Sequence, residues 1–522
     1  MYIDEAKSAV RTITGVPTSV AAFVGSAVRG PTDRPVHITS FADFQRIFGG
    51  VVAGSPLGYA VHQFYANGGS EAEIVRLVHT GDTDTSKNAT AAVVNLTAGT
   101  ATVPLVARGE GVWGGRLRVR VDYDTSETVA SGASPTLYNL TVFDQGTGAT
   151  ERYLNVSSRP ADATALDKVL ASSALVTVPR TGAVLNAVPD DHEAIAPGDA
   201  SQDPFDDAKT ARYTQASPGK DGDAPDLADY QGGNNGQDAK TGLYQLLKTD
   251  IFNLLCLPEA PRTALSPAAK LCRDRRALLI VDPPSTWSDI NSAVSGMAQP
   301  PLTGDEAKNA AVYFPDLVIP DPAQNGLPKQ VPPCGTVAGV MARTDVQRGV
   351  WKAPAGTDAS LGGVTAPAIP MTDLENGRLN QLGVNCLRSF PVVGPVVWGA
   401  RTLRGADRLA DEWKYLPVRR LALFIEESLF RGTQWVVFEP NDEPLWASIR
   451  LNVGAFMNTL FRQGAFQGAT PREAYLVKCD RENNPQNDVD RGIVNIVVGF
   501  APLKPAEFVI IHIEQLAGQL QV

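Results

Sequence analysis

Cysteine is scarce in this chain: five among 522 residues, at Cys256, Cys272, Cys334, Cys386 and Cys479. They are odd in number and widely spaced, with no CxxC pair. This excludes a disulfide-stapled scaffold and a cysteine zinc site, and fits reduced, mostly buried thiols. Histidine is equally rare, and His37, His62, His79, His192 and His512 stand apart without metal-ligand spacing. A basic excess is missing too. The net charge is -10 with a pI near 5.2, which argues against a bulk nucleic-acid binder. The short clusters Arg419-Arg420 and Arg273 to Arg276 are expected to be solvated or interface charges. No run approaches the roughly 18 apolar residues of a membrane span. The first residues, MYIDEAKSAV, have neither a basic start nor an apolar core, so no secretory signal is expected. The sequons at Asn88, Asn95, Asn139 and Asn155 are accordingly read as chance.

What is present is ample apolar material. Hydrophobic residues make up 43% and charged residues 20%, a globular balance in a chain long enough for several domains. Up to about Val78 the pattern is compact α/β. A helix is expected at Phe41 to Phe48 behind the cap Ser40, and another at Ser55 to Asn67, stopped by Gly68-Gly69. A buried strand is expected at Ile74 to Val78. From Thr80 to Pro218 Thr, Ser, Gly and Asp rise, and short strands are expected at Val103 to Val106, Leu117 to Val121, Leu137 to Val142 and Leu175 to Val178. Asp190 to Asn235 reads as a long surface connection. The α/β pattern then returns. Asn253 to Leu257 and Ala277 to Val281 suit strands covered on both faces, with helices at Ser266 to Arg275 and Ser285 to Met297.

Toward the end, Leu421, Phe424, Ile425 and Leu429 recur at helical spacing, with Glu427 and Arg431 as an i,i+4 pair. Trp435 to Phe438 reads as a strand. Asn441 or Asp442 then caps a helix whose apolar face is Leu445, Ile449, Val453, Phe456 and Leu460, ended by Gly464. Strands are expected at Ile493 to Phe500 and Phe508 to Ile513.

Enzyme signatures are weak. The GxGxxG string Gly109, Gly111, Gly114 is followed by the strand-like Arg116 to Val121 and does not open a helix, as a dinucleotide site requires. Gly219-Lys220 lacks the earlier Gly and the Ser or Thr of a P-loop, and neither GxSxG nor HExxH occurs. The carboxylates of Glu426-Glu427 and of Glu439 to Glu443 read as a solvated helix face and an acidic first turn.

Both ends carry β-forming residues outside any core element. Phe508 to Ile513 (FVIIHI) is nearly uncharged, and in Leu516 to Val522 the residues Leu516, Leu520 and Val522 share one face. Tyr2, Ile3, Val10 and Ile13 precede the first core element. One reading is that these segments are arms that add strands to neighbouring chains; the other is ordinary frayed termini.

Several long stretches favour the first reading. LPVRRLALFIEESLFRGTQWVVFEPNDEPLW (Leu416 to Trp446), PPCGTVAGVMARTDVQRGVWKAPAG (Pro332 to Gly356), LNQLGVNCLRSFPVVGPVVWGARTL (Leu379 to Leu403) and GATPREAYLVKCD (Gly468 to Asp480) resemble contractile tail sheath proteins of phages and phage-derived injection systems. GVPTSVAAFVGSAVRGP (Gly15 to Pro31) and FYANGGSEAEIVRLV (Phe64 to Val78) fit the same family, and residues 80 to 235 match it loosely.

The resemblance implies a multi-domain α/β chain: an arm at 1–20, a sheath core in two parts at 21–79 and 236–400, an inserted β-rich outer domain at 80–235, a C-terminal sheath domain at 401–505 and a strand and arm at 506–522. It implies a polymer of stacked six-membered rings around an inner tube, with baseplate and terminator or cap proteins as further partners. It implies no enzyme activity, no cofactor, metal or nucleic acid, and no membrane insertion by the chain itself. Assembly would take place in the cytoplasm, with lysis as the route of release. The arms would be Tyr2, Ile3, Val10 and Ile13 at one end and Phe508, Ile510, Ile511, Ile513, Leu516, Leu520 and Val522 at the other. Arg450 and Arg462, on the polar side of the Leu445 to Phe461 helix, would face the tube. The alternatives are an α/β hydrolase or dehydrogenase built on the Gly242 to Phe438 strands, and a surface adhesin.

Overall fold

The computed structural model describes residues 11–127, 135–179, 186–258 and 260–507. Its centre is an eight-stranded sheet drawn from distant parts of the chain. In spatial order the strands are Gly394–Val397, Asn385–Phe390, Ala310–Phe314, Leu278–Val281, Leu254–Cys256, Ala21–Gly25, Ala72–Arg76 and Val36–Ile38. The six middle strands run parallel and the two edge strands antiparallel. The first strand of the chain is therefore a central strand. It pairs Ala21 with Leu254 on one side and with Ala72 on the other.

Period-two geometry explains why these strands are apolar throughout. Phe23, Cys256, Leu278 and Ile280 point into one core. Ala22, Val24, Leu255, Leu279 and Val281 point into a second core on the opposite face. Each face is roofed: the helices Pro56–Ala66 and Cys334–Arg348 cover the first, and Leu265–Asp274 and Ile290–Gly296 the second. A strand buried on both faces has no polar alternation to show.

Residues 77 to about 230 leave this sheet and return to it. They fold around their own apolar core. One sheet pairs Thr214–Gln215, Leu117–Asp122, Leu137–Asp144 and Thr150–Ser157; another pairs Val93–Ala98, Ala101–Ala107 and Val176–Thr177. A separate helical body follows the large sheet. In it Leu416–Gly432 and Glu443–Arg462 pack through Leu421, Ile425, Ile449, Val453 and Met457. A two-stranded sheet, Tyr475–Lys478 with Val497–Phe500, lies against this body.

Local expectations hold where a cap or periodicity was strong. Ser40 accepts from the Asp43 amide ahead of Phe41–Phe48, and Glu427 and Arg431 pair at 2.7 Å. Other segments differ. Trp435 to Phe438 is no strand: a 3₁₀ turn covers Gln434–Val436, and Phe438 sits at φ 70° with its side chain exposed. The strand expected at Ile74 to Val78 is Ala72–Arg76. The helix expected at Ser285 to Met297 begins only at Ile290, where Asp289 forms a capping box with Ser292. Ile493 to Phe500 is strand only from Val497. Asp190 to Asn235 is more than a surface connection, since it contributes the strand Thr214–Gln215 and the fully buried Arg212. Arg419 and Arg420 are buried, not solvated. Phe508 to Ile513 and Leu516 to Val522 lie outside the described residues, as do Tyr2, Ile3 and Val10.

Candidate functional site: the anchors of the two chain ends

Both ends of the described chain meet arginine-centred clusters, one on the helix Leu416–Gly432 and one beside the residues just ahead of it. At the N-terminal side, Arg420 forms a two-pronged pair with Asp345. Its Nη1 reaches Oδ1 at 2.8 Å and its Nη2 reaches Oδ2 at 2.6 Å. Both side chains are only 3% exposed. The incoming chain closes this cluster: the Thr18 hydroxyl donates to Asp345 at 2.7 Å, and the Thr18 carbonyl accepts from Arg420 at 3.0 Å. Upstream, the Val16 amide donates to the Ser428 hydroxyl and the Arg11 amide to Asn452 Oδ1. The Arg11 guanidinium lies 4.8 Å from the centre of the Trp435 ring.

Ile13, grouped with the arm residues in the sequence, is buried in the core of its own chain. Gly432 makes room for it, because a Cβ there would stand 2.5 Å from Ile13.

At the C-terminal side the centre is Arg401, with no exposed side-chain surface. Its Nη1 donates to the carbonyls of Asn380 and Gly405 and to Asp407. Nε and Nη2 both point at Glu507, at 2.7 and 2.6 Å. Burial pulls the guanidinium pKa down, but Glu507 and Asp407 outweigh that and hold it above its ordinary value. Burial acts on Asp407 in the opposite sense, and Lys414 and Arg401 overcome it, so its carboxyl lies below the usual range. Beside the cluster is a cleft of about 950 Å³, lined on one wall by Trp351, Lys352, Asn376 and Trp398 and on the other by Leu503 to Glu507.

The remaining chemically suggestive residues serve the fold. Gly109 abuts the Gly30 carbonyl, where a Cβ would come within 2.5 Å, and Gly114 fits against Ala92 and Ala107. Arg76 buttresses this junction, donating to the carbonyls of Ala27, Gly30 and Glu110. Burial lowers its pKa to about 10. Glu426 pairs with Arg419, and Glu427 with Arg276 and Arg431. The five cysteines are free and buried. His79 contacts Asp229 at 2.7 Å, with Asp226 close by. Among the described residues these three form the one group of three or more potential metal ligands, a grouping the sequence spacing does not reveal. Asp229 is already engaged, since its carboxylate also accepts from the Asp226 amide in the capping box of the helix Leu227–Gln231. Arg450 is held by Glu443 and the Cys479 carbonyl, while Arg462 is exposed. Among the described residues no helix is long and apolar enough to cross a membrane.

Sequence reasoning missed Arg401, Asp345 and Glu507. A lone arginine after a strand carries no periodic signal, and its partners lie far along the chain.

Family models place this architecture. The phage tail sheath protein central domain matches residues 232–403, and the phage tail sheath C-terminal domain matches residues 410–515. Together they span more than half of the chain. The chain belongs to the phage tail sheath family.

The tail sheath protein of Vibrio phage KVP40 is 27% identical over 183 residues, 35% of this chain and 26% of that protein. That of Enterobacteria phage T4 is 26% identical over 168 residues, 32% and 24% of the two chains. The matched stretch thus spans only about a quarter of these curated relatives. Solved structures align over nearly the whole chain. The PVC sheath complex of an extracellular contractile injection system, in its contracted state, gives a TM-score of 0.58 at 21% identity, covering 99% of this chain and 96% of that one. The contracted helical sheath of the anti-feeding prophage gives 0.56 at 21%, covering 99% and 98%. A sheath tail protein of Listeria innocua gives 0.60 at 13%, covering 94% and 96%. These likenesses show a shared sheath fold.

Proposed function

We propose that this chain is the subunit of a contractile sheath, a structural polymer that surrounds an inner tube and drives it through a target membrane by shortening. Membership of the sheath family carries this reading. The anchors support it, because both chain ends are seated firmly at their bases before continuing toward residues 1–10 and 508–522. The two-stranded sheet Tyr475–Lys478 with Val497–Phe500 supports it as well. Leu476 and Val497 are exposed there, and an isolated two-stranded sheet is marginal until further strands join it.

In this reading Tyr2, Ile3 and Val10 from one neighbour and Phe508, Ile510, Ile511, Ile513, Leu516, Leu520 and Val522 from another add strands by β-augmentation. Each added backbone hydrogen bond contributes roughly 0.5–1.5 kcal/mol net. A strand tethered to its subunit also binds at high effective concentration, so subunits can pivot while their strands stay paired. The partners are further copies in stacked six-membered rings, an inner tube, a baseplate and a cap, assembled in the cytoplasm. Arg462, exposed and on the polar side of its helix, is the better of the two tube-facing candidates, since Arg450 is engaged within the chain.

Electron microscopy of the purified chain, full-length and truncated before Phe508, tests the proposal. Tubes or rings from the full chain, lost on truncation while a folded monomer remains, are expected. A full chain that stays monomeric at every concentration contradicts it.

A further inference from the structure

The stretch from Phe500 to Glu507 crosses from the helical body to the large-sheet unit along one wall of the 950 Å³ cleft. Little apolar burial holds it. Leu503, Lys504 and Ala506 are exposed, and Pro505 is only half-buried. The strong tie is at its far end. Glu507 presents both carboxylate oxygens to Nε and Nη2 of Arg401, which sits 106 positions earlier at the end of the sheet. The rest of the guanidinium is satisfied by its own unit, through Asn380, Gly405 and Asp407. The Arg401 backbone is fixed as well, its amide donating to Asn385 Oδ1 at 2.7 Å. Only the face toward Glu507 is left for the tail.

We propose that Arg401 and Glu507 form a latch that moves the launch point of the C-terminal segment off the helical body and onto the large-sheet unit. This rests on the sheath reading. A two-pronged carboxylate–guanidinium pair fixes direction as well as position. Without Glu507 the guanidinium still keeps Asp407 and the carbonyls of Asn380 and Gly405, so its loss falls on the tail and not on the large-sheet unit. A pull on the segment beyond Glu507 is therefore carried by the eight-stranded sheet, across the cleft, and not by the six residues that cross it. Arg401 and Glu507 are positioning residues: they act on assembly by setting where the following strand begins.

The test is Glu507→Ala and Glu507→Gln in the full chain, read by the concentration at which sedimentable tubes form and, separately, by thermal unfolding of the monomer. A latch predicts monomers that melt close to the parent chain. Glu507→Ala should raise the assembly concentration by about tenfold through lost effective concentration of the tail. Glu507→Gln, which keeps one acceptor oxygen, should fall between the two. Tubes forming at the parent concentration overturn the latch. So does an assembly defect in Glu507→Ala that is matched by an equally destabilised monomer, since that marks simple structural support. The truncation before Phe508 separates the two claims. If it assembles normally, the strand-adding reading itself fails; if it abolishes tubes while Glu507→Ala assembles like the parent, only the latch fails.

Discussion

The two chain-end anchors are both built on arginine but are held in different ways. At the N-terminal anchor the charge pair is sealed inside the chain and reinforced by apolar packing of Ile13 against Gly432. At the C-terminal anchor a buried arginine reaches a carboxylate at the edge of a cleft, and the connecting stretch is largely exposed. The first is part of the fold. The second is an attachment that the fold can survive without. Removing pieces of the N-terminal anchor should thus damage the monomer, and removing pieces of the C-terminal anchor should damage assembly.

The largest expected effect is at Asp345. Asp345→Ala leaves Arg420 buried without its partner and should cost about 3–5 kcal/mol, measured by denaturant unfolding of the monomer. Ile13→Ala empties a packed site and should cost about 2–3 kcal/mol in the same measurement. Arg401→Met keeps the volume and leaves Glu507 and Asp407 partly open to water, so it should cost less than Asp345→Ala while shifting assembly more than stability. If Arg401→Met unfolds the monomer as severely as Asp345→Ala does, the contrast between the anchors is wrong.

The smallest effect concerns the junction to the β-rich unit of residues 77 to about 230. His79, just beyond the strand Ala72–Arg76, is hydrogen-bonded to Asp229 in the helix Leu227–Gln231, with Asp82 and Asp226 nearby. The Asp229 bond raises its pKa above the ordinary 6.5, against the effect of burial. A raised folded-state pKa means the contribution is complete below about 6.5 and is lost as pH rises through the folded value. His79→Gln should remove this dependence, seen as a flatter pH profile of unfolding of the β-rich unit between mildly acidic and mildly alkaline solution.

Much of the fold was legible because burial leaves a pattern. The doubly covered strands at Leu254–Cys256 and Leu278–Val281 are unbroken apolar runs, and the helix Glu443–Arg462 shows its stripe. What stayed hidden depends on partners distant in sequence. Nothing local says that Ala21–Gly25 lies between strands at 72 and 254, or that Arg419 and Arg420 are buried where a charged pair reads as surface. Trp435 to Phe438 shows the limit of propensity. Its β-forming residues occupy a turn between two helices that share one apolar core. The family was legible through long ordered motifs, whereas the anchors were not, since Asp345, Arg401 and Glu507 become a site only once the chain has folded.

The most direct test is a reconstruction of assembled tubes in which Phe508 to Val522 can be traced. The account predicts that each copy's segment leaves from Arg401 and pairs with an adjacent copy beside Tyr475–Lys478 or Val497–Phe500. Segments folded back onto the copy they belong to, within a lattice that is nevertheless intact, would contradict it.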